Sequence, residues 1–176
     1  MTAVLELLTR DQIIALAASD RMRLLGQMAR AQQELLAGFI DLLDVMDAQG
    51  DYVEDGHRSV RNLLVAQTNC DHASANAMVK AMKTMRLLPD VRKRLAAGEF
   101  GVAQVQSLAT AYGNPRVRDY LAAIEDQIVD WASLPHDEFD GRVVEFVRLA
   151  DADGAEQRDN ARHQRRSLHL LSLIHI

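Results

Sequence analysis

Apolar residues return every three or four positions from Met22 to Met46, and no proline interrupts them. Met22, Leu25, Met28, Ala29, Leu35, Leu36, Phe39, Ile40, Leu43 and Met46 recur at the spacing of an amphipathic helix. The pattern predicts one helix over about 20–48, roughly 40 Å long at 1.5 Å per residue. A rod of that length buries its stripe against other helices or against a second rod, so it constrains every other element.

The rest of the chain is punctuated accordingly. Thr9-Arg10-Asp11-Gln12 has the form of a capping box and opens a short helix through about Ala18, and Ser19-Asp20 then starts the long one. Gln49-Gly50-Asp51 ends it, and residues 52–56 read as a loop. Ser59 caps a helix to about Gln67 with Val60, Leu63 and Leu64 inward. Thr68-Asn69-Cys70 is a polar link, and Asp71 caps a helix striped by Met78, Ala81, Met82, Met85 and Leu88 that Pro89 stops. Further helices are expected over 90–97, 102–111 and 116–132, the last with Val117, Leu121, Ile124, Ile128 and Trp131 inward. Pro135 stands near the start of another, carrying Phe139, Val143, Phe146 and Val147. Asp151-Ala152-Asp153-Gly154 reads as a turn, 155–165 as a polar helix, and Ser167–Leu170 alternates like the start of a strand. The fold class is all-α: a multi-helix bundle organised by the 20–48 helix, with a helix-turn-helix at 59–88.

Composition agrees. With 176 residues the chain suits one domain, expected over 1–170, and only three prolines and nine glycines break it up. Its apolar mass is Ala, Leu, Val and Met, with aromatics at 5%. The single cysteine, Cys70, rules out an internal disulfide and fits a reducing compartment, as a buried structural thiol. No run approaches the roughly 20 apolar residues that cross a bilayer, and the first residues lack signal-peptide organisation, so a cytoplasmic protein without membrane contact is expected. Leu171–Ile176 is apolar, lacks a polar end and looks like a translated sequencing adaptor, so 171–176 is read as a non-native tail.

The net charge of −5 is unevenly spread. Residues 57–94 hold eight basic and two acidic groups, a local +6, between acidic flanks of −6 over 1–56 and −8 over 95–156. A basic block of this kind suits a local anionic partner and not a protein that coats nucleic acid over its whole surface. Within it, His72, Asn76, Lys80 and Lys83 follow at intervals of four, four and three, sharing one face of the second helix away from the methionine stripe. Asn and His can meet base edges, and the lysines with Arg58, Arg61 and Arg86 can neutralise phosphates, so these seven are the candidate nucleic-acid-binding residues. A polar outer face on any amphipathic helix is the plainer account.

Other motifs read as structure. Gly56-His57-Arg58-Ser59 is a turn glycine before an N-cap serine. The opening of a calcium loop at 151–154 lacks the remaining ligands. No two histidines stand at helical ligand spacing, Cys70 has no Cys-x-x-Cys partner, and no Gly-rich phosphate loop or nucleophile elbow occurs. No catalytic residue, cofactor or metal is assigned to this chain.

From about residue 30 to 170 the sequence resembles the 13E12-repeat family, domain of unknown function 222. The matching stretches are Arg30–Leu36, Asp55–Ser59, Leu88-Pro89 with Gly98 closing a short helix, Asp151–Glu156, and Arg165–Leu170. The family has tryptophan where Leu63 aligns and commonly histidine where Gln104 aligns. The resemblance implies an actinobacterial protein in which an HNH endonuclease domain follows the helical part, and a divalent metal only if that domain follows. The functional expectation is therefore a non-catalytic N-terminal helical module of an HNH-endonuclease-like protein that contributes DNA binding. The alternative is a structural or oligomerisation domain in which the long helix pairs with a second copy. A basic, exposed 72–83 face favours the first, and broad exposed apolar area on 22–46 favours the second.

Overall fold

The computed structural model describes residues 8–152, which contain helices and connections and no strand. The expected 155–165 helix, the Ser167–Leu170 strand and the 171–176 tail lie outside the described residues. Helix α1 (Arg10–Ala15) opens on the expected capping box: Thr9 Oγ1 accepts from the Gln12 amide at 3.3 Å, and Gln12 Oε1 accepts from the Thr9 amide at 2.8 Å. Helix α2 (Ala18–Gln49) is the organising rod, 32 residues long, with Ala17 and not Ser19 at its cap position. Arg21 turns back and donates to the Ile14 and Leu16 carbonyls, which fixes α1 at its head. Gly50 ends α2 at φ +75°, a left-handed value open to glycine at little cost.

A 3₁₀ turn over Asp51–Val53 leads to α3 (Val60–Thr68), α4 (His72–Leu87), α5 (Pro89–Ala96) and α6 (Val102–Tyr112). Ser59 and Asp71 cap α3 and α4 as their residue types require. Pro89 begins α5 because its missing N–H costs nothing there, and Gly98 closes that helix at φ +70°. The central element is α4, packed on α6, α2 and α3, while α5 lies against α2 and the later helix α8 (Glu125–Trp131). Ile40, Met82, Met85, Leu88, Leu95, Leu108, Leu121 and Ile128 are fully buried between these helices. Phe100 and Phe139 meet edge to face with centroids 5.6 Å apart, joining the last described helix, α9 (136–152), to the core. That helix continues through Asp151 and Ala152, where a turn was expected to begin.

Three expectations need correction. The single helix over 116–132 is three pieces: α7 (Arg118–Leu121), a 3₁₀ turn over Ala122–Ile124, and α8 (Glu125–Trp131). The piece after the break is tied to a distant helix. Glu125 Oε1 accepts from the Asp90 and Val91 amides at 2.7 and 3.2 Å, so it caps α5, whose Pro89 leaves those as its first free N–H groups. The apolar stripe of α2 is also only half used. Ala37, Ile40 and Leu43 are buried and Leu36, Phe39 and Met46 half-buried, but Met22, Leu25, Met28 and Leu35 stay exposed. Cys70 is half-buried and free, a partial contact to the core and not a fully enclosed thiol.

Candidate nucleic-acid interface

Helices α3 and α4 are joined by Asn69-Cys70-Asp71 and pack on each other. Asn69 takes a left-handed φ of 53°, which turns the chain sharply out of α3. Asp71 then starts α4: one carboxylate oxygen accepts from the Ser74 amide at 2.7 Å and the other from the Ser74 hydroxyl at 3.1 Å. Those bonds, the amide first, hold the Asp71 carboxyl below its ordinary range. The inward face of α4 carries Ala75, Ala81, Met82, Thr84 and Met85, and Thr84 settles its hydroxyl on the Lys80 carbonyl at 2.7 Å.

The outward face brings the predicted residues together. His72, Asn76, Lys80 and Lys83 are all exposed on α4. Arg61 reaches across from α3, with Nη1 3.4 Å from Asn76 Oδ1 and Nη2 3.3 Å from Asn62 Oδ1. Arg58 is exposed just before the Ser59 cap. Arg86 stands apart. Its Nε donates to Asp44 at 2.6 Å and its Nη2 to Asp47 at 3.0 Å, so two α2 carboxylates neutralise it. Those bonds push its guanidinium pKa up further.

The distribution of ion pairs sharpens the contrast. Arg92 is paired with Asp41 and Asp44, Lys93 with Asp90, Arg94 with Glu99, Arg116 with Asp151 and Arg148 with Glu145. Among the described residues, Arg58, Arg61, Lys80 and Lys83 have no carboxylate partner. Their charge is left for solvent or an anion.

Sequence reasoning missed what flanks this face. A groove of about 670 Å³ runs between α4 and α6, lined by Ala73, Ala77 and Ala81 on one side and Val102, Val105 and Ala109 on the other. Asn76 and Lys80 belong to its lining. Alanines at every fourth position were the available signal, and they read equally well as ordinary helix formers. Lys80 Nζ comes beside Gly113, 3.2 Å from where a Cβ would stand, so the ammonium lies at the carbonyl end of α6. Gln104 is buried. It accepts from the Gly101 amide at 2.7 Å and donates to the Ala132 carbonyl at 3.1 Å, a structural tie between α6 and the end of α8.

The remaining perturbed groups are surface pairs. Asp90 raises the Lys93 pKa, and Arg148 and Glu145 move each other in opposite directions through a 2.7 Å hydrogen bond. Among the described residues no three His, Cys, Asp or Glu side chains gather as a metal cluster, and no helix is long and apolar enough to cross a membrane. The arrangement offers binding chemistry: exposed cations, an amide and an imidazole on one helix face.

Fold and site together define an all-α multi-helix bundle with a closely linked helix pair presenting uncompensated positive charge. The chain belongs to the family described as Domain of unknown function (DUF222), whose profile matches residues 7–172 and so takes in α1 and the whole of α2. No curated protein and no solved structure matches it.

Proposed function

We propose that this domain is a nucleic-acid-contacting helical module, using the outward face of α4 with Arg58 and Arg61 from the start of α3. One observation carries the reading. In a chain of net charge −5, the cations without a carboxylate partner among the described residues include four at the turn-linked pair α3–α4. Lys80, Lys83, Arg58 and Arg61 serve phosphates, which supplies sequence-independent affinity, and Asn76 and His72 have the chemistry for base edges. Arg86 stabilises the fold and takes no part in the contact. The protein context is that implied by the family resemblance, with an HNH endonuclease domain following the helical part and this module positioning it on DNA.

The test is fluorescence anisotropy of the full chain with a labelled duplex over a salt series. Wild type is expected to bind in the range of non-specific protein–DNA affinities, about 10⁻⁴–10⁻⁶ M. Lys80→Glu with Lys83→Glu is expected to weaken binding at every salt concentration and flatten the salt slope by about 2. Identical curves for wild type and the double variant would remove the proposal, as would no binding by wild type at low salt.

A second reading, pairing of two copies through α2, is favoured by the exposed apolar side chains along that helix. It is compatible with the first, because α4 and the exposed side of α2 are separate surfaces.

A further inference from the structure

Four of the exposed apolar residues of α2, Met28, Leu35, Leu42 and Val45, fall on one line with Gly38 and the half-buried Leu24 and Ala31. Leu24, Met28, Ala31, Leu35, Gly38, Leu42 and Val45 follow at alternating intervals of four and three, the a and d spacing of a coiled-coil seam. At about 100° per residue, this line lies roughly 140° round the helix from the stripe centred on Ile40 and Leu36 that enters the core. Leu35 is 75% exposed, Leu42 and Val45 are 54%, and Met28 is 44%. None of the seven belongs to the core cluster or packs against it. Nothing lies within 4 Å of the position a Cβ would take on Gly38.

The seam is self-complementary. Its a positions are bulky (Met28, Leu35, Leu42), and its d positions include the small Ala31 and Gly38. Turning a second copy antiparallel about residue 33 sets Leu35 beside Ala31 of the other copy, Met28 beside Gly38, and Leu42 beside Leu24. Two of the three knobs then meet a small residue and the third, Leu42, meets Leu24, in the isologous arrangement that a two-fold axis requires. The same register brings Leu25 opposite Phe39, adding another exposed α2 side chain, and puts Glu34 near its own copy. Each Glu34 carries its own Arg30 at 3.6 Å, which offsets that like-charge approach.

We infer that α2 is a self-recognition helix: two copies of this chain pair antiparallel through the 24–45 seam. The inference rests on the pairing reading above and adds its register. A seam of 22 residues is about 33 Å long, and one helix wide it falls at the small end of specific interfaces, so the dimer is a reversible one. The sequence alone hides the seam, because its residues interleave with the core stripe and the two together look like one broad apolar face.

Sedimentation equilibrium of the full chain across the micromolar range tests it. Wild type is expected to move from monomer to dimer with concentration. Leu35→Glu and Gly38→Leu are each expected to stay monomeric with unchanged helical circular dichroism and melting, the first by burying charge and the second by filling the recess for Met28. Glu34→Gln is expected to tighten the dimer several-fold. A wild type that stays monomeric throughout would overturn the pairing reading and the register together. A dimer indifferent to Leu35→Glu and Gly38→Leu would overturn the register and leave pairing by another surface.

Discussion

Arg86 and Asp44 are 42 positions apart in sequence, yet Arg86 Nε lies 2.6 Å from Asp44 Oδ1. That pair, extended to Asp47, ties α4 to α2 and separates Arg86 from the cations around it. The two kinds of basic residue on α4 should therefore respond oppositely to substitution. Arg86→Ala is expected to lower stability by about 1 kcal/mol in chemical denaturation, the scale of a partly exposed ion-pair network. It should leave anisotropy titrations with duplex unchanged. Lys83→Ala should do the reverse. A loss of duplex affinity in Arg86→Ala as large as in Lys83→Ala would show that the ion pair does not withhold Arg86.

The caps of the helix pair can be weighed separately. Ser59 accepts from the Asn62 amide at 3.3 Å, and Ser59→Ala should cost about 1 kcal/mol, read from the urea midpoint at constant m. Ser59→Asp, which can make the same bond, should recover most of the loss.

Asp71 adds a pH dependence whose sign follows from its lowered pKa. A carboxyl that is more acidic folded than unfolded contributes stability above its unfolded value. That contribution is lost as pH falls through the lower folded value. Wild type should therefore lose stability more steeply below pH about 4 than Asp71→Asn, whose cap does not titrate. Parallel stability curves for the two proteins would refute the assignment.

The link between Glu125 and α5 predicts a distant effect. Removing this carboxylate in Glu125→Ala leaves the Asp90 and Val91 amides without their acceptor, at about 1.5 kcal/mol for bonds to a charged group. Amide exchange should rise in α5, more than 30 residues away in sequence, and not only in α8. Exchange confined to residues 122–131 would count against the cap.

Much of the fold was legible because helix ends announce themselves locally. Thr9, Gly50, Ser59, Asp71, Pro89 and Gly98 all stand at boundaries they could be expected to make. The break at Ala122–Ile124 was illegible because no glycine or proline marks it. For the candidate site, the spacing of His72, Asn76, Lys80 and Lys83 fixed a shared face correctly. It could not show that Arg86 meets carboxylates delivered by α2, nor that the alanines of α4 line a groove against α6. On α2 the reading placed Met28 and Leu35 in the same stripe as Ile40 and Leu43. Periodicity records that a residue is apolar and not which neighbour covers it, so two stripes on one rod merge.

Core and seam should differ in the same experiment. Met82 is fully buried, and Met82→Ala should cost about 2–5 kcal/mol through lost burial and the void left behind. Leu35→Ala, on a side chain already in water, should change monomer stability by no more than about 0.5 kcal/mol.

The edge-to-face contact of Phe139 with Phe100 bears on the order in which the molecule can be completed. Phe139 is fully enclosed, and the ring it meets, Phe100, comes from earlier in the chain. During synthesis, a chain that has reached α8 therefore still lacks the ring that Phe100 packs against. The first turn of α9 works as a keystone: the ribosome must deliver it before the interior is shut to water.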